Sequence, residues 1–260
     1  MRQYSTFLCV LTLCAAPLYA QTPAEQSLSK RAAQASEMLR EAKEQHERGE
    51  YEAARRLATE AAKLATDSVV VQQAAAEVLY LSGYSKDSLP LFDRVVELRP
   101  EAAPQNWQRG IALCSCGDFE RGAEQFKTHH DVNPDDVENS AWYFLCIAKT
   151  QDIAAARKTV IPSRGDGRQP MMSILAMLKG EQQPADVLKA AEAGGLSGRS
   201  LKMSKFYADL YVGLYYDALG DEKQAIKALQ RSLTYDISGY MVDTARVYLQ
   251  DRFPDATKGR

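Results

Sequence analysis

The sequence is poor in the residues that most often do chemistry. Its 260 residues include three histidines, five cysteines and two tryptophans. It carries no Cys-x-x-Cys, no His-Glu-x-x-His, no phosphate loop and no dinucleotide fingerprint, so metal, redox and nucleotide chemistry have no recognisable scaffold in it. Fifteen glycines and ten prolines are too few for a collagenous or low-complexity chain. Neither sign of charge dominates: 32 basic against 34 acidic side chains give a formal charge of -2, which excludes a broad basic field for nucleic acid. No apolar run approaches the ~20 residues of a spanning helix. The remaining composition, 45% hydrophobic and 25% charged, is that of a globular protein with chain enough to bury a core.

The N-terminus reads as a targeting segment. Arg2 precedes an apolar run over residues 7–16, too short to span a bilayer, and Ala20 is a small residue suited to cleavage. Residues 1–20 are therefore expected to be a cleaved signal peptide, which makes the mature chain periplasmic or secreted. Lipid attachment generally needs a small residue before the signal cysteine. Leucine precedes both Cys9 and Cys14, so no lipid anchor is expected. Cys114, Cys116 and Cys146 remain after cleavage. They read either as small core residues or, for Cys146 and one of the others, as a pair meeting across neighbouring helices.

A period of 34 residues governs the mature chain. Gly49, Gly83 and Gly117 share it, as do the small residues Ala54, Ser88 and Gly122. Ala58, Phe92 and Phe126 form a third column, Ala61, Val95 and His129 a fourth, and Pro100 and Pro134 a fifth. Each repeat reads as two antiparallel helices. The glycine ends the first helix at positive φ, the small residue lets the second approach closely, and proline closes the unit. These spacings resemble the tetratricopeptide repeat. The expected fold is an all-α tetratricopeptide-repeat solenoid of antiparallel helix pairs with a C-terminal capping helix.

An N-terminal helical cap is expected over residues 21–34 and three repeats over 35–136. A degenerate repeat and a short helix pair come next, over 137–200, with Pro162 and Gly165 cutting the degenerate repeat short. The last repeat, the capping helix and the tail occupy 201–260.

Beyond the generic repeat, Arg109-Gly110-Ile111-Ala112-Leu113, Asn133-Pro134-Asp135-Asp136, Ala141-Trp142-Tyr143-Phe144-Leu145 and Leu214-Tyr215-Tyr216-Asp217-Ala218-Leu219-Gly220-Asp221 succeed one another in an order similar to the NlpI family of bacterial envelope proteins. The resemblance covers residues 103–249. It implies an adaptor that dimerises and binds cell-wall hydrolases or a periplasmic protease. The chain departs from that family in lacking a lipid-attachment cysteine.

No catalytic residues, cofactor or metal site are predicted. His129 shares a column with Ala61 and Val95 and so reads as interior. Asp135 and Asp136 suit a helix N-terminus, and Arg164-Gly165-Asp166 matches an adhesion tripeptide that arises easily by chance. An enzyme would have to rely on His129, His130 or Cys116. The expected function is non-catalytic: binding of proteins or peptides along the concave groove lined by first helices. The groove positions are Lys43, Gln73, Glu77, Tyr80, Trp107, Ile111, Lys149 and Tyr207, with Trp107 as anchor, although ordinary repeat packing would also account for that aromatic. The competing expectation is a permanent structural subunit held through its outer face. The tyrosines near the C-terminus offer a homodimer contact or core filling.

Overall fold

The computed structural model describes residues 22–257, so the expected signal segment lies outside the described residues. The described residues form helices joined by short turns, with no strand among them. The elements are α1 (Pro23–Glu47), α2 (Tyr51–Leu64), α3 (Val69–Leu81), α4 (Ser85–Leu98), α5 (Trp107–Cys116), α6 (Phe119–His130) and α7 (Val137–Thr150). They continue with α8 (Ile153–Lys158), α9 (Met171–Lys179), α10 (Pro184–Ala191), α11 (Gly198–Ala218), α12 (Glu222–Ser232) and α13 (Tyr240–Arg252). α1 is capped by a reciprocal Thr22–Glu25 box and runs unbroken through the expected cap and the first helix of repeat one.

The repeat columns have direct physical counterparts. Gly49, Gly83 and Gly117 take φ of 80°, 92° and 82°, the left-handed conformation in which a side chain is strained. At Gly83 the amide bonds Tyr80 O and the Tyr84 amide reaches back to Leu79 O, and the same double closure recurs at Gly117. Ala54 and Ser88 are fully buried. At Gly122, a methyl group would come within 2.9 Å of Cys146 Sγ and 3.2 Å of Cys114 Sγ, so the bare glycine makes room for both sulfurs. These two thiols meet at 3.2 Å between α5 and α7. Burial pushes the Cys114 thiol well up, and Cys116 stands apart, half-buried.

The degenerate repeat is tied down rather than loose. After the short α8, the loop over residues 159–170 returns to the start of α7. Ser140 Oγ donates to Ile161 O at 2.9 Å and Ser163 Oγ to Asp135 O at 2.8 Å. Arg164 pairs with Asp135 at 2.8 Å, while Asp166 accepts from Arg168 at 2.6 Å. Both charged members of the adhesion-like tripeptide are thus engaged in holding this loop.

α13 covers α12, as a cap does, and then continues across α3 and α5 in the early repeats. It joins them through many specific contacts. His46 Nε2 lies 3.3 Å from Asp243 and Arg246 stacks over Tyr51 at 4.5 Å. Arg246 also donates to Leu81 O, and Ser85 Oγ donates to Asp251 at 2.5 Å. The solenoid therefore closes back on itself, with the last helix laid along its inner wall.

Candidate functional site on the concave face

Laying α13 against α3 and α5 divides the predicted groove. Tyr80 is fully buried, its ring 6.4 Å from that of Tyr240 and its hydroxyl 3.1 Å from Ser115 Oγ. Ile111 is 2% exposed. Tyr80 presents no free surface, because the chain's own helix already covers it, and Ile111 reaches only the lining of a small cavity. That corrects their assignment to an open groove. The register put both on first helices, where they lie, but the helix packed against those helices comes from 165 residues away in sequence, the separation of Leu81 and Arg246, and leaves no trace in a local pattern.

Lys149, expected to line the binding groove, is engaged within the chain. Its ammonium donates to Asp217 at 2.6 Å, and the same buried carboxylate accepts from the Tyr248 hydroxyl. One acid thereby joins α7, α11 and α13. Asp209, fully buried on α11, accepts from Arg231 Nε at 2.8 Å and from the Tyr235 hydroxyl at 2.5 Å. Isolated carboxylates at such depth are costly, so these bonds are what keeps them tolerable.

The remaining predicted residues fall in separate places. Gln73 Nε2 and Gln108 Nε2 donate to Glu77 Oε1 at 2.7 and 3.2 Å, making a half-buried polar strip along α3 and α5. Trp107 is half-buried with its ring edge-on to Tyr240, centroids 4.9 Å apart. Lys43 is exposed on α1. Tyr207 stacks nearly parallel on Tyr211 at 6.2 Å beneath the Arg168 guanidinium, and burial pushes its hydroxyl up to about 12. The structure thus brings together Gln73, Glu77 and Trp107, and sets Lys149 and Tyr207 in separate ion-pair networks.

Residues that the register passed over complete this face. A cavity of about 160 Å³ lies where α5, α6, α7 and α13 meet, lined by Trp107, Phe126, His129, Asn139, Trp142 and Met241 among others. Glu138 also lines it and bonds Arg168 and the Tyr211 hydroxyl, yet burial pushes its carboxyl up against their pull. Asn139 and Trp142 lie three apart on α7 and so share a face, a spacing visible in the sequence.

Of the three groups an enzyme would use, His129 is bonded locally and Cys116 is half-buried, while His130 Nδ1 is buried without a hydrogen-bond partner in the protein. His129 is 6% exposed and its Nδ1 donates to Pro104 O at 2.7 Å, which fits the interior reading of its column. Burial pushes the Cys116 thiol up to about 11, so little reactive thiolate exists at neutral pH. Asp136 caps α7 by accepting from the Glu138 amide at 3.1 Å. Among the described residues no cluster of three or more His, Cys, Asp or Glu could hold a metal, and no helix is long and apolar enough to cross a membrane.

No family model matches the sequence. In three dimensions the chain resembles a tetratricopeptide repeat protein from Parabacteroides merdae, with a TM-score of 0.51. The likeness covers 87% of this chain and 91% of that one at 12% sequence identity. The fold is an all-α tetratricopeptide-repeat-like solenoid. At that identity the likeness speaks for the fold alone.

Proposed function

We propose that this protein is a non-catalytic, exported adaptor that binds other proteins or peptides on its concave face. The observation that carries the reading is the division of that face. One stretch of the inner wall already accommodates a helix, α13, through aromatic contacts and charged hydrogen bonds. Beside it, the Gln73–Glu77–Gln108 strip and Trp107 remain half-exposed. A wall that recognises a helix in cis has the chemistry to recognise a segment in trans. The NlpI-like order of motifs makes cell-wall hydrolases and a periplasmic protease the first partners to try, and a homodimer the first assembly.

The competing reading is a permanent subunit held through the outer face. A groove of about 720 Å³ between α2 and α4, lined by Arg55, Arg56, Lys63, Lys86, Pro90 and Leu91, favours it. Capture from a bacterial envelope extract with the purified chain separates the two. Under the adaptor reading a Trp107→Ala, Gln73→Ala variant loses its partners while an Arg56→Ala, Lys86→Ala variant keeps them. The opposite pattern moves the interface to the outer groove and sinks the concave-face reading.

A further inference from the structure

Three buried polar atoms on α7 have no partner in the protein. Asn139 is 2% exposed, and neither its Nδ2 nor its Oδ1 makes a hydrogen bond. Trp142 is 1% exposed, and its indole Nε1 is likewise unpaired. Leaving such groups dry is costly, and nearly all buried polar atoms in folded proteins are paired. Here both residues line the same cavity, whose other walls include Trp107, Phe126 and Met241 together with Asp136 and Glu138. Exposed Asn133 also lines it, so the cavity meets solvent there.

We propose that this cavity binds a neutral carboxamide group, a peptide bond or a primary-amide side chain of a protein partner. Asn139 pairs with it and the Trp142 indole donates a third hydrogen bond. The inference rests on the protein-binding reading and names the chemistry that the face recognises. A free amide oxygen beside a free amide nitrogen is matched by another donor–acceptor pair, which a carboxamide supplies. A carboxylate cannot donate back. It would also meet Glu138 and Asp136, whose side chains line the same cavity. The aromatic walls suit the aliphatic carbons next to the amide, and the volume suits one such group or a handful of waters.

The chain's two tryptophans both line this cavity, so its own fluorescence reports occupancy. Titrating the full protein with N-acetyl-leucinamide is expected to give a saturable change in tryptophan emission. N-acetyl-leucine, its anionic counterpart, should bind at least tenfold more weakly at neutral pH. Asn139→Leu keeps the shape and removes the unpaired amide, so it should abolish the response and raise the thermal midpoint by a few degrees. In a ¹⁵N spectrum of the unaltered protein, the indole N–H signal that persists in Trp107→Phe should move on addition of the amide. A flat titration, equal binding by Asn139→Leu, or a midpoint lowered by that substitution would each overturn the proposal, the last by showing that ordered waters satisfy Asn139 structurally. Partner capture undiminished in Asn139→Leu also overturns it while leaving the adaptor reading intact. A saturable amide response in a chain that captures nothing supports the site and counts against the adaptor.

Discussion

The two hydrophobic clusters of this solenoid are built from different materials. Around α1, α2 and α3 the buried residues are mostly alanines: Ala35, Ala42, Ala54, Ala58, Ala61 and Ala75 are completely buried. Helices there pack through small side chains, with Gln72 Nε2 donating to Ala62 O across α2 and α3 at 2.8 Å. The second cluster, from α3 through α13, buries Phe92, Phe126, Trp142, Phe206, Tyr211 and Tyr248, and adds the paired acids Asp209 and Asp217. The same repeat column holds Ala58 in the first region and Phe92 or Phe126 in the second. The period fixes where a side chain points, while its size decides how far apart the helices stand. The aromatic region has gaps that polar groups enter, and the candidate binding cavity lies there.

The sharpest way to break the contrast is to remove the charge that pairs a buried acid. Lys149→Met leaves Asp217 with the Tyr248 hydroxyl alone, and should cost about 3 kcal/mol in urea unfolding. A loss below about 1 kcal/mol would mean that water reaches Asp217 and that the acid network is not a structural element.

Helix spacing is tested next. A methyl group on Gly110 would stand 2.7 Å from the Phe126 ring, so Gly110→Ala should destabilise by about 2 kcal/mol through overpacking. Ala58→Phe, which imports the aromatic of the later repeats into the alanine region, should cost a similar amount. A neutral result in either would show that the helices slide apart freely and that the columns do not set their distance.

The seam between the regions is electrostatic. Burial pushes the Asp243 carboxyl up, but bonds to His46 and Arg246 outweigh it and hold the group below the usual carboxylate range. A carboxyl lowered in the folded state stabilises above its unfolded value of about 4, and that contribution is lost as pH falls through the folded value. Asp243→Asn should therefore be about 1 kcal/mol less stable at neutral pH, with the difference closing in acid. Thermal midpoints from pH 7 down to pH 3 check this, and a gap that widens on acidification contradicts it. The smallest effect is expected at Lys43→Ala on exposed α1, where the thermal midpoint should not move.

Much of this protein was determined by the sequence alone, because its information is local. A glycine at positive φ, a small residue five places on and a buried apolar one four places further recur within each helix pair, and the 34-residue spacing displays them. His129 could be read as interior from its column, and Asp136 as a helix-capping acid from its place after Pro134. Gln73, Glu77 and Trp107 could be placed on first helices in the same way. The tertiary structure alone decided what packs against those helices. α13 reaches α3 and α5 only because small rotations between successive pairs accumulate until the stack closes. No local pattern encodes that sum, so Tyr80 and Ile111 became core, Lys149 became the partner of Asp217, and Asn139 with Trp142 came to face a cavity.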